Sequence, residues 1–229
     1  MQVPGSARSN SLMGGTMDKI IVFVDGNNFY RGCKDNLGRV DVDIAKLGHV
    51  LSGILSGSLI RTYYYNAWIS DRFDPIGHEK QRKFFESLER APQVTVKFGR
   101  LIYHPVREGS LEGRYFPTEK GIDVQIAVDM IRIGLLKACD SVVLVSGDSD
   151  FVHAISFVKD LGINVCVANF QKGASRELLS QADQRILLSE ELLSSCFIRQ
   201  DHPGVEYVPP FVDEEIQGFE APKSGTGSS

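Results

Sequence analysis

The chain is poor in several things that would each have named a function class. No apolar run approaches the ~18–20 residues needed to cross a bilayer, so no membrane partner is expected. Cysteine is sparse: Cys33, Cys139, Cys166 and Cys196 are widely spaced with no CxxC pair, which argues against a zinc site or a disulfide framework. Reduced thiols and a cytoplasmic location are the corresponding expectation. No Ser-His-Asp or Cys-His pattern is visible, and VDGNNF lacks the glycine spacing of a Walker or dinucleotide loop. His153 reads as a packed histidine rather than a catalyst. There is no internal repeat. The opening MQVPGSARSNSLMGGTM has no hydrophobic core of a signal peptide, and residues 1–17 are expected to be a disordered leader with Met17 as a candidate start.

Excess charge of one sign is also missing. The net charge of −4 resides in the tail, where six acids from Asp201 onward face only Lys223; residues 18–200 sum to zero. A neutral body neither announces nor forbids a polyanionic partner. Hydrophobic content of 42% and charge of 24% are those of an ordinary globular domain with one good core.

What the sequence does contain is alternation. KIIVFV and VVLV are continuous apolar runs, the mark of central parallel strands buried on both faces. Residues 59–68, 93–99 and 163–169 read as further strands. Helical spacing fills 28–37, 43–55, 77–90, the stretch from Phe151 to Leu161, and 175–181. KGIDVQIAVDMIRIGLLK is an amphipathic helix with Ile122, Ile126, Ile133 and Leu136 on its apolar face. Residues 100–118 read as a hairpin or flap outside the main sheet. The expected fold is α/β: one three-layer α/β/α domain over 18–195 with a mostly parallel sheet, followed by a disordered acidic, Pro/Gly-rich tail over 196–229.

In such a sheet the C-terminal strand ends line one edge, where ligands bind. Asp25 follows the first apolar run directly, and Asp148 and Asp150 follow Ser146-Gly147 at the end of the second. Asp123 stands at the start of the amphipathic helix. Each has a plain structural alternative as a turn or helix-cap residue, and Asn28 as a cap. Together they predict carboxylates converging on one edge, which repel unless a cation sits among them. Mg²⁺ or Mn²⁺, one ion or two, is the expected cofactor, being a hard ion that takes oxygen ligands and activates water for attack on a phosphodiester. Asp129, six residues beyond Asp123, falls on another helix face and suits a supporting role.

FVDGNNFY, KGIDVQIAVDM and VVLVSGDSDF, in that order, resemble the NYN domain family, in the LabA-like branch of the PIN-like nucleases. The resemblance covers about residues 18–170. It implies a PIN-like fold and a metal-dependent ribonuclease site in which Asp25, Asp123 and Asp148 hold the metal. Asp150 would be a further catalytic acid, with Asn28, Lys120, Asp129 and Ser146 supporting the site or holding phosphate. RNA, single-stranded or structured, is the implied partner; a homo-oligomer is compatible. Arg72, Lys80, Arg82, Lys83, Arg100, Arg114 and the run Tyr63–Tyr65 are candidates for a strand-binding surface, the tyrosines by stacking on bases. The alternative is a non-catalytic RNA- or protein-binding regulatory module on the same fold. A phosphatase ranks last, because VDGN lacks the second aspartate of a DxD motif.

Overall fold

The computed structural model describes residues 17–107, 113–198 and 219–220. The expected leader, apart from Met17, and most of the expected tail lie outside the described residues.

Seven strands form one sheet in the order β4-β3-β2-β1-β5-β6-β7. They are β1 (Lys19–Asp25), β2 (Ser58–Trp68), β3 (Val94–Pro105), β4 (Tyr115–Lys120), β5 (Ser141–Val145), β6 (Asn164–Asn169) and β7 (Gln184–Leu187). Only β3 and β4 pair antiparallel; every other pair is parallel. The helices are α1 (Gly26–Leu37), α2 (Ile44–Ile54), α3 (Pro75–Arg90), α4 (Ile122–Leu135), α5 (Val152–Asp160), α6 (Arg176–Gln181) and α7 (Glu190–Leu193).

Alternation within the central strands builds the three layers. Ile20, Val22 and Val24 of β1 pack with Val143 and Val145 against residues of α1, α2, α3 and α7, among them Phe29, Leu47, Phe85 and Leu193. Ile21, Phe23, Val142 and Leu144 point to the other face, onto Ile126, Met130, Ile155 and Leu178 of α4, α5 and α6. The period-two pattern of a pleated strand thus assigns each residue to one layer. Local signals start the helices: Asp43 caps α2 through Lys46 N, and Asp74 caps α3 through Gly77 N with Pro75 in the first turn.

Three expectations need correction. The stretch 100–118 belongs to the main sheet: β3 continues unbroken to Pro105, and β4 folds back on it with Arg100 opposite Lys120. The hairpin is therefore an extension of the sheet edge that projects beyond β2. On α4 the fourth inward residue is Met130; Leu136 lies past the helix end and is 66% exposed. The domain also runs past 195. Cys196 is fully buried, its carbonyl accepts from Asp43 N at 2.8 Å, and Phe197 bridges Val42. Phe219 is buried against the hairpin.

Two glycines at the C-terminal edge of the sheet are required by close approach. A Cβ on Gly26 would stand 2.5 Å from Tyr65 O, and one on Gly147 would stand 2.4 Å from Gly173 O. Both obstacles are backbone. Gly26→Ala and Gly147→Ala are each expected to cost about 1–3 kcal/mol, the range for overpacking, read as a lower urea midpoint with an unchanged slope. An unchanged midpoint would mean that the backbone yields at that point.

Candidate functional site

Asp25 ends β1 and caps α1, and its carboxyl is 4% exposed. Oδ1 accepts from Asn28 N at 3.2 Å, and Oδ2 accepts from the Ser146 hydroxyl at 3.0 Å. Asp148 N donates to Ser146 Oγ at 3.2 Å, and Gly147 N donates to Asn28 Oδ1 at 2.9 Å. The ends of β1 and β5 are therefore stitched by Ser146 and Asn28, and the carboxyl is aimed by what it binds. Asp148 in turn caps the short 3-10 turn Ser149–Phe151, its Oδ1 accepting from Asp150 N at 3.0 Å. The capping roles open to Asp25 and Asp148 are thus real. They leave the acids at the sheet edge all the same.

Asp123 lies in the first turn of α4, behind Gly121, which takes a left-handed φ of 87° and supplies no side-chain cap. Lys120 is exposed at the end of β4. Sequence reasoning missed Glu119. It is half-buried, and its Oε2 accepts from Asn27 Nδ2 at 2.9 Å, tying the hairpin to the start of α1. Its other oxygen is buried with no hydrogen-bond partner. Only its position beside the KGID stretch could have signalled it, since the link to Asn27 spans 92 residues.

These acids share one electrostatic field. Burial pushes Asp25 up to about 7, helped by the charges of Glu119 and Asp123 and opposed by the Asn28 and Ser146 hydrogen bonds. Glu119 is raised by burial and by Asp123, against the Asn27 bond and the charge of Arg31. Asp123 is raised by partial loss of water and by Asp148 and Asp150. The neighbouring charges that raise Asp25 and Asp123 are all carboxylates. As placed, no three His, Cys, Asp or Glu side chains among the described residues stand close enough to hold one ion. The donor set nonetheless suits Mg²⁺ or Mn²⁺, because Mg²⁺ keeps several waters and is usually held by one or two carboxylates plus substrate phosphates. Glu119 with its orphaned oxygen is the addition the structure makes to that set.

Several candidates fall elsewhere. Asp129 is buried and bonded to the Tyr65 hydroxyl at 2.9 Å, with Arg132 at 3.6 Å and Lys97 at 3.9 Å, so it is tied to β2 and β3. Tyr64 and Tyr65 are 1% and 0% exposed, and Tyr63 stacks on Phe23, which corrects the expectation that this run meets bases. Arg82 pairs with Glu79 and Glu86, and Lys83 with Glu79, so α3 presents a self-paired surface. His153 is exposed rather than packed. Beside the acids, a cleft of about 190 Å³ is lined by Asn28, Arg31, Asp35, Gly147, Phe170 and Lys172.

A mostly parallel α/β sheet that gathers acids from β1, β4, α4 and the β5 end at one edge defines a PIN-like domain. The chain belongs to the NYN domain family, whose model matches residues 19–190. It is 26% identical over 199 residues to Low amplitude and bright protein LabA of Synechococcus elongatus, covering 86% of this chain and 95% of that protein. Among solved structures it resembles VPA0982 of Vibrio parahaemolyticus, a protein of unknown function. That match has a TM-score of 0.57 and 25% identity over 81% of this chain and 98% of the other. No helix of the described residues is long and apolar enough to cross a membrane.

The raised Asp25 has a measurable consequence. Its carboxyl binds a proton more tightly folded than unfolded, so its contribution is fully stabilising below pH ~4 and is lost as pH rises through about 7. Asp25→Asn keeps an oxygen for Asn28 N and turns the other atom into a donor to Ser146 Oγ. The variant should gain stability relative to the wild type between pH ~4 and ~7, by up to about 4 kcal/mol in the absence of metal. Urea titrations at several pH values measure this. A difference that does not change with pH would mean that Asp25 titrates normally.

Proposed function

We propose that this chain is a metal-dependent ribonuclease that hydrolyses RNA phosphodiester bonds at the acidic edge. The observation that carries the reading is the mutual charge of Asp25, Glu119, Asp123, Asp148 and Asp150 at one sheet edge, where Asp25, Glu119 and Asp123 are each raised by a neighbouring acid and the charge of Arg31 acts against this at Glu119. Keeping such a set uncompensated costs stability, and binding of a divalent ion removes that cost. Membership of the NYN family, within the PIN-like nucleases, supports the same chemistry.

Asp25, Asp123 and Asp148 would hold Mg²⁺ or Mn²⁺, with Glu119 and Asp150 beside them. The ion would supply charge stabilisation at the phosphoryl oxygens and an acidified water. Asp25 is held at both oxygens and serves to orient. Asp123, at the surface with its proton affinity raised, is suited to take the proton of the attacking water. The water oxygen bonds to phosphorus and the P–O3′ bond breaks. The departing O3′ takes a proton from solvent, leaving 5′-phosphate and 3′-hydroxyl ends. Exposed Lys120, next to Glu119, would hold a non-bridging phosphate oxygen. The four free, buried cysteines fit a reducing, cytoplasmic setting.

One observation favours a second reading, a non-catalytic RNA-binding module: among the described residues, no three ligating side chains converge as placed. Labelled single-stranded RNA incubated with Mn²⁺, Mg²⁺ or EDTA separates the two. Cleavage with either ion, lost in EDTA and reduced about a hundredfold or more in Asp148→Asn and Asp25→Asn, is the expected result. Glu119→Gln is expected to be impaired as well. RNA retardation without cleavage under any metal would establish the binding module instead, and full activity in Asp148→Asn would remove that residue from the site.

A further inference from the structure

The burial of Tyr64 and Tyr65 leaves the acidic edge without its expected stacking surface, and the hairpin supplies one. The end of β3 projects past the end of β2 on the same edge as Asp25, because these strands run parallel. On that projection Tyr103 stacks on Phe73, with centroids 4.0 Å apart and planes 5° apart. Tyr115 of β4 leans on Phe73 at 5.1 Å. The Tyr103 hydroxyl accepts from Ser70 N at 3.0 Å, which fixes the ring against the turn that carries Phe73.

Phe219 occupies this face. Its ring is 8% exposed and meets Phe73 and Tyr103 edge-on, at 6.4 and 5.7 Å. Its backbone exchanges two hydrogen bonds with Tyr115, of 2.8 and 2.9 Å. That contact is an isolated antiparallel bridge at the first residue of β4. Among the described residues, Phe219 is held at this face by that bridge and by its ring contacts with Phe73 and Tyr103. β4 runs from this slot directly to Glu119, about 14 Å away at strand rise, and Asp123 follows.

We propose that the Phe73–Tyr103–Tyr115 face is a nucleobase-stacking site for single-stranded RNA entering the acidic edge, and that Phe219 fills it in the free protein. The C-terminal segment and the RNA therefore exclude each other. The inference rests on the ribonuclease reading for its ligand class, while its evidence is separate from the acids. Every base has a π-face, so the site holds RNA without choosing sequence.

The test is fluorescence anisotropy of a short labelled oligouridylate in EDTA, which prevents cleavage, with the full-length protein. Phe219→Ala should tighten binding at least about fivefold, the lower limit for one stacked base. Adding Tyr103→Leu to Phe219→Ala should remove that gain; Phe73→Leu replaces it if the tyrosine variant does not fold. Unchanged or weaker binding by Phe219→Ala overturns the proposal, as does a double variant that binds as tightly as Phe219→Ala. If the wild type binds and, with metal, cleaves RNA while the variants behave alike, this inference alone fails. If no form binds RNA, the ribonuclease reading fails with it. Capture of a synthetic peptide of residues 213–224 by Phe219→Ala, with RNA affinity unchanged, would assign the slot to protein segments and likewise overturn the proposal.

Discussion

A carboxyl removed from water at the end of a central strand is the constraint on which the rest depends. Asp25 sits on β1, the middle strand of the seven, and cannot move away from the edge without breaking its cap on α1 and its bond to Ser146. Burial alone would leave it neutral. Two hydrogen bonds favour its charged form, and two neighbouring acids oppose it. The result is a group balanced near neutrality, able to give up its proton when positive charge arrives. An acid tuned only to cap a helix has no need of that balance.

The surrounding architecture serves the same edge. The two central strands are buried on both faces, and Gly26 and Gly147 let backbones approach where a side chain would push the strand ends apart. Ser146 and Asn28 then lock β1 to β5 across that gap. The hairpin adds what a plain open sheet lacks. It carries Glu119 over to Asn27, brings Asp123 to the edge at the start of α4, and raises an aromatic face beyond it. The acids and the aromatic face are thus two parts of one surface joined by β4.

The parallel sheet and its three layers were legible because continuous apolar runs such as Ile20–Val24 and Val142–Val145 have few other uses, and their aspartates stand next in sequence. Asp123 was legible because a strong helical period begins beside it. The membership of the hairpin in the sheet is hidden in the sequence because Gly99 and Pro105 interrupt the strand signal; the pairing of Arg100 with Lys120 is a long-range register that no local pattern encodes. The burial of Tyr64 and Tyr65 is hidden in the sequence because aromatics in a strand read alike on both faces until the helix covering each face is known. Glu119 and Phe219 were invisible for the same physical reason. Each acquires its role from a partner far away in the chain, Asn27 in one case and Tyr115 in the other.

The most direct measurement is calorimetric titration of the metal-free protein with Mn²⁺ near pH 7, in two buffers of different ionisation enthalpy. A cation arriving beside Asp25, whose carboxyl is pushed up to about 7, must displace its proton. Saturable binding with proton release in the wild type, and loss of that release in Asp25→Asn, is the predicted result. No saturable heat, or identical binding and proton release in Asp25→Asn, would contradict a metal centre built around Asp25.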